Sequence, residues 1–204
     1  MNDREHWDEI YRNKPPSKTT WYAPHLDRSL ALIRETVPDR SAAIIDIGGG
    51  GSTLIDDLLA DGYRDVTVLD LSAEAIEASR QRLGAAAGRV CWVADDITRI
   101  ELDRERYELW HDRAAFHFLV EAEQRRAYGR QLSSTLKSGG HAIIATFGPQ
   151  GPERCSGLAT RRYDADLLQA EFGPDFRLIE SAIENHQTPF GTAQQFLYCH
   201  FMLG

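Results

Sequence analysis

Cysteine is scarce in this 204-residue chain: Cys91, Cys155 and Cys199 are an odd number at wide spacing. That pattern excludes a disulfide framework, and without a CxxC pair no metal site is expected. A reducing cytoplasm is the simplest setting. Long apolar runs are missing as well, since none approaches the roughly 18 residues needed to span a bilayer. The opening MNDREHWDEIYRNK is charged and has no apolar h-region, so neither secretion nor membrane insertion is expected. Clustered positive charge is the third absence. Lys and Arg number 23 against 31 Asp and Glu, for a net charge of −8. The densest basic cluster toward the C-terminus is the pair Arg161 and Arg162. A phosphate backbone must be neutralised by clustered cations, so a nucleic-acid partner is not expected.

What is present is an alternation of short apolar runs with longer amphipathic ones, the βαβ pattern of a parallel sheet. Strands are expected at Ala42 to Ile47, Asp65 to Leu69, Val90 to Val93, Tyr107 to His111 and His141 to Phe147. Their Val, Ile and Leu content suggests cover on both faces. Helical spacing marks Ser52 to Ala60, Ala73 to Leu83 and Ala122 to Leu136. Ser72 reads as an N-cap with half a capping box, because Ala75 stands where Glu or Gln would complete it. Gly139 and Gly140 read as the close of the third helix. A helix near Tyr163 to Phe172 follows, then β-like runs Arg177 to Glu184 and Gln194 to Met202 around the turn Thr188-Pro189-Phe190-Gly191. Upstream, helices at Glu5 to Asn13 and Leu26 to Val37 flank a proline-rich linker, KPPSKTTWYAP. One domain over 1–204 is expected: an N-terminal helical arm (1–39), a core (40–147), and a lid loop, helix and hairpin (148–204).

The segment IIDIGGGGS runs from a buried strand through Gly48, Gly49, Gly50 and Gly51 toward a helix. Glycine lets backbone approach a ligand and take positive φ, and a helix N-terminus offers free N–H groups to a carboxylate. Alone, such a turn reads equally as a nucleotide site or a tight turn. Asp70, at the tip of the second strand, is placed to accept from two ribose hydroxyls. Asp96, after the third strand, is placed to accept from an adenine amino group, with Asp95 and Ile97 flanking the ring.

Asp46-Ile47-Gly48-Gly49-Gly50, Asp70, Asp96 and the LKSGG of Leu136 to Gly140 resemble the ordered motifs of the class I S-adenosylmethionine (SAM)-dependent methyltransferases. The family more often has Cys or Ser where Gly49 stands and Pro where Ser138 stands. The resemblance implies an α/β fold, Rossmann-like, with a seven-stranded mostly parallel sheet, an antiparallel last strand and helices on both faces. It implies SAM as cofactor, with Gly48 and Gly50 beneath the methionine part, Asp70 and Leu71 at the ribose, and Asp95, Asp96 and Ile97 around the adenine. Asp46 would order the loop or meet the amino group through water. A dinucleotide dehydrogenase fits less well, because Gly48-x-Gly50-x-x-Thr53 has Thr where that fingerprint wants Gly or Ala.

The fourth strand end, LWHDRAAFHFL, is where this family places acceptor-side residues. His111 or Asp112 is the candidate base, and Arg113 and His117 are candidate substrate contacts. The other reading makes His111 a satisfied histidine, Asp112 and Arg113 an ion pair, and His117 packing. Trp21 and Tyr22 are expected either to fold over the cofactor or to anchor the arm. The long loop GPQGPERCSGLATRRY offers Arg154 and Arg162 to an anionic acceptor, and Cys155 reads as a loop residue more than a thiol catalyst. The opening HWDEIY and later WY are similar to the branch holding citrate synthase and elongation factor lysine methyltransferases. That similarity makes protein lysine an alternative acceptor, whereas a compact chain with no recognition domain and one mid-length lid favours a small molecule, which is the expected acceptor; a SAM-binding regulator without turnover is the alternative of another class.

Overall fold

The computed structural model describes residues 3–204. Its helices are α1 (Asp3–Asn13), α2 (Asp27–Thr36), α3 (Leu54–Ala60), α4 (Ala73–Leu83), α5 (Ala122–Thr135) and α6 (Ala165–Phe172). Its strands are β1 (Ala43–Ile47), β2 (Asp65–Asp70), β3 (Val90–Ala94), β4 (Tyr107–Arg113), β5 (Leu136–Phe147), β6 (Arg154–Cys155), β7 (Leu158–Ala159), β8 (Phe176–Gln187) and β9 (Ala193–Leu203). Seven strands form one sheet in the order β3-β2-β1-β4-β5-β9-β8. The first five run parallel, and β9 lies antiparallel between β5 and β8. The expected Rossmann-like sheet with a reversed last strand is the one observed.

Side chains on a strand alternate between faces, so a strand covered on both sides is apolar throughout. In β1, Ile44 joins Leu30 and Ile33 of α2 and Leu54 and Leu58 of α3 on one face. Ile45 and Ile47 join Tyr128 and Leu132 of α5 and Leu168 of α6 on the other. Burying each of these isoleucines contributes about 1.5–3 kcal/mol. The one polar residue in the strand, Asp46, is buried as well, and burial is tolerable for a carboxylate only with a partner. No helix among the described residues is long and apolar enough to cross a membrane.

Two segments depart from expectation. Gly139 and Gly140 do not close α5, which ends at Thr135 with Leu136 already in β5. Register passes from Tyr107↔Leu136 directly to Leu109↔His141, so residues 137–140 bulge out of the ladder. Gly139 takes φ 74°, and a Cβ on Gly140 would stand 2.7 Å from the Lys137 carbonyl oxygen. Lys137 instead pairs with Glu108 across the bulge. The loop after β5, expected to lack structure, contains the β6–β7 hairpin. Ser156 and Gly157 both take positive φ, 50° and 82°, as a two-residue turn between tightly paired strands requires.

Candidate active site

The C-terminal ends of the parallel strands open into a cavity of about 940 Å³, near the upper end of the roughly 300–1,000 Å³ usual for small-molecule sites. Its floor is the glycine turn. Gly48, at φ 70°, donates its N–H to the Leu69 carbonyl at 2.7 Å, tying the turn to β2. Gly50 donates to Asp70 Oδ2 at 2.9 Å and Ser72 to Asp70 Oδ1 at 2.8 Å. Ser72 also caps α4, its Oγ accepting from Ala75 at 3.1 Å. Burial pushes the Asp70 carboxyl up to about 6, against the two amide donors and with help from the charges of Asp46 and Asp8.

Asp70, Leu71, Asp95, Asp96, Ile97, Gly48, Trp21, Arg113 and His117 all line the cavity. Asp96 Oδ1 accepts from the Thr98 N–H at 2.9 Å and Oγ1 at 2.7 Å, while Oδ2 stands 3.4 Å from Arg99. Asp95 Oδ1 takes the Asp96 N–H at 2.7 Å. Gly49 and Gly50 lie beneath the lining: a Cβ on Gly49 would stand 2.1 Å from Asp46 Oδ2, and one on Gly50 2.8 Å from Asp70. Gly49→Ala is therefore expected to cost about 1–3 kcal/mol, the range for overpacking, measured by urea unfolding. Gly88→Ala, where a Cβ meets nothing within 4 Å, should be near neutral in the same assay.

His111 and Asp112 do not stand in the cavity, which corrects their placement as acceptor-side bases. His111 sits beside Asp46 in the parallel register, and its Nδ1 lies 2.6 Å from Asp46 Oδ1. Its Nε2 lies 2.9 Å from Ser29 Oγ on α2. The chain continues from Ser29 to the Tyr198 hydroxyl at 3.2 Å and from there to Arg113 Nε at 3.2 Å. Asp112 is fully buried. Its Oδ1 accepts from the N–H groups of Ala115 at 3.0 Å and Phe116 at 3.3 Å, and its Oδ2 from the Tyr128 hydroxyl at 2.8 Å. Both side chains are buried in the sheet–helix junction, bonded to neighbouring elements, and neither lines the cavity.

Arg154 and Arg162 are likewise not among the lining residues. Arg154 donates to the Gly157 carbonyl within its own hairpin, and Arg162 pairs with Glu153 at 2.8 Å. Tyr22 faces a small adjoining cleft shared with Gly51 and Thr53. Asp46 Oδ2, Arg113 Nη2 and His117 Nε2 are buried with no hydrogen-bond partner among the described residues.

A group of lining residues to which the sequence reading assigned no role comes from α1. Trp7 and Tyr11 line the cavity, Trp7 edge-on to Trp21 at 5.7 Å and to Phe118 at 5.0 Å. Burial and the charge of Asp70 raise the Tyr11 hydroxyl pKa. Asp8 Oδ1 accepts from Ser72 Oγ at 2.6 Å, Arg12 pairs with Glu74 at 3.1 Å and Arg4 with Asp95 at 3.5 Å. The helix lies as a strap across the tips of β2 and β3. Trp7 and Tyr11 at four-residue spacing were the available signal, since that spacing puts both on one helix face.

Residues 44–140 match the family model described as "Methyltransferase domain". The fold is that of the class I SAM-dependent methyltransferases, and the family match falls on the part of the chain that carries the glycine turn, Asp70 and Asp96. The chain is 21% identical over 139 residues to the eEF1A lysine and N-terminal methyltransferase of Mus musculus, covering 68% of this chain and 20% of that protein. It thus spans about a fifth of the length of that relative. It is 21% identical over 194 residues to EEF1A lysine methyltransferase 2 of Homo sapiens, covering 88% of this chain and 76% of that one. The fold is shared with the 1,6-didemethyltoxoflavin-N1-methyltransferase of Burkholderia thailandensis at 20% identity and TM-score 0.69, over 98% of this chain and 83% of that one.

Proposed function

We propose that this chain is a SAM-dependent methyltransferase that transfers the methyl group of SAM to a nucleophilic atom of a small-molecule acceptor within the cavity. When bound, SAM supplies a sulfonium methyl open to in-line displacement. Asp70 and Leu71 would hold the ribose, Asp96 with Ile97 the adenine, and Gly48 with Trp21 the methionine part. The unpartnered Asp46 Oδ2 suits an ammonium, and this free buried acceptor beneath the glycine turn supports the fit of SAM to these residues.

The observation that carries the acceptor reading is the wall away from Asp70 and Asp96. Arg113, His117, Phe118, Phe147, Cys155 and Leu158 form it, bringing one fixed cation, aromatic rings and the β6–β7 hairpin. A lysine ammonium would approach the Arg113 guanidinium there without a free carboxylate to offset it. Of the acids near this wall, Glu121 closes the capping box of α5 and Glu123 pairs with Arg126. The residues align the reactants and exclude water, effects worth several kcal/mol in such displacements. With His111 and Asp112 engaged elsewhere, the acceptor atom would enter already deprotonated or lose its proton to water.

The likeness to EEF1A lysine methyltransferase 2, 76% of whose length this chain matches, supports protein lysine as the second reading. Incubating the protein with methyl-labelled SAM and a cell extract, then separating protein from small molecules, tests both. Label is expected in the small-molecule fraction; label in protein alone would replace this reading with the second.

A further inference from the structure

We infer that Arg113 and His117 form a subsite for a carboxylate, built into the cavity wall between the end of β4 and β5. The inference rests on the reading of this cavity as the place of transfer. Both side chains are held in place by protein partners. Arg113 Nη1 donates to the Trp21 carbonyl at 3.1 Å, its Nε donates to the Tyr198 hydroxyl at 3.2 Å, and its guanidinium carbon lies 4.5 Å from the Phe196 ring centre. His117 stacks on Phe147 at 4.1 Å with 11° between the ring planes, and its ring centre is 6.4 Å from Phe196. The two side chains therefore share one aromatic neighbour.

The tautomer of His117 follows from its partner. Nδ1 accepts the Phe147 backbone N–H at 3.1 Å, so the proton of the neutral ring sits on Nε2. Burial and the nearby charge of Arg113 hold the ring pKa down to about 3, which keeps it neutral and makes it a donor. Of the buried side-chain donors without an acceptor among the described residues, His117 Nε2 and Arg113 Nη2 are the ones at residues that line the cavity. Leaving a buried donor unpaired is costly. One fixed positive charge beside one neutral donor, among Phe118, Phe147 and Leu158, matches a monoanion with two oxygens and an apolar body more closely than a phosphate dianion.

A carboxylate has two sources here, the acceptor and the methionine end of the donor, and binding measurements separate them. In the first arm, protein saturated with S-adenosylhomocysteine is titrated with benzoate and with the uncharged benzamide, followed by ring-nitrogen NMR of His117. Benzoate is expected to bind about 10- to 100-fold more tightly, as a charge-assisted hydrogen bond allows, and to shift the His117 Nε2 signal. Arg113→Gln should remove the preference. In the second arm, S-adenosylhomocysteine is compared with 5′-methylthioadenosine, which lacks the carboxylate, in wild type and Arg113→Gln. A loss confined to S-adenosylhomocysteine supports the subsite and assigns its carboxylate to the donor; a response in the first arm assigns it to the acceptor. Equal binding of benzoate and benzamide, an unmoved His117 signal and an unchanged donor ratio together would overturn the inference. The NMR shift needs no variant, so poor folding of Arg113→Gln leaves the test intact. None of these readouts depends on which fraction receives label, so the subsite and the acceptor reading fail separately.

Discussion

Asp70→Ala is expected to weaken S-adenosylhomocysteine binding by about 10- to 100-fold in calorimetry, the equivalent of one or two hydrogen bonds to a charged group. The carboxylate has two tasks. It receives the Gly50 and Ser72 amides, which shapes the glycine turn, and it borders the cavity where a ribose would sit. Asp70→Asn removes the charge and disturbs the turn less than Ala does, because its single amide oxygen still accepts one of the two N–H groups while its NH2 faces the other. An Asn variant with unchanged affinity would show that the ribose lies elsewhere. Acidity gives an independent check. The carboxyl is pushed up to about 6 in the folded protein, so affinity should fall as pH drops from 7 to 5 and the ion is lost. Stability of the ligand-free protein runs the other way. A carboxyl whose folded pKa exceeds its unfolded one favours folding when protonated, so this contribution is full below about pH 4 and is lost as pH rises through about 6. The Asn variant should lose the Asp70 share of both slopes.

Asp112→Ala is expected to have the largest effect on folding. Its removal strands the Ala115 and Phe116 amides and the Tyr128 hydroxyl inside the core. At about 1–3 kcal/mol for each orphaned group, the loss should reach about 3 kcal/mol or more, a large share of the 5–15 kcal/mol typical of a folded domain. Asp112→Asn keeps an oxygen for the two amides but offers Tyr128, which already accepts from Trp110 Nε1 at 2.7 Å, a second donor. A smaller loss follows. Urea unfolding measures both, and a near-neutral Ala variant would contradict the bonding described. The Asn variant, once folded, should bind S-adenosylhomocysteine as the wild type does, which separates a framework residue from one that meets the ligand.

The centre of the sheet could be read from sequence because strands such as β1 are buried on both faces and the glycines after them stand at turns. The helix expected at Ala73 to Leu83 is reproduced in both bounds, since Ser72 carries a local cap signal. Asp70 and Asp96 were legible for the same reason: a strand tip is a position along the chain. Side-chain direction across the sheet is not such a position. His111 and Asp46 become partners only through the register of β1 against β4, which depends on how two distant segments dock. The bulge at residues 137–140 escaped for a related reason, since a glycine pair after a helix signals a cap or a bulge equally well until the neighbouring strand is in place. The residues of the α1 strap are at most partly buried, so it carries no strong core pattern.

That shallow attachment has a kinetic side. Besides its ring contacts and the Asp8–Ser72 bond, the strap is held by partly exposed ion pairs, Arg12 with Glu74 and Arg4 with Asp95, and such pairs contribute about 0–1 kcal/mol each and weaken in salt. A cover fastened in part by such pairs is expected to lift more readily than the sheet opens. Its backbone amides should exchange with deuterium long before those of β1, and the residence time of whatever lies beneath Tyr11 should shorten as ionic strength rises.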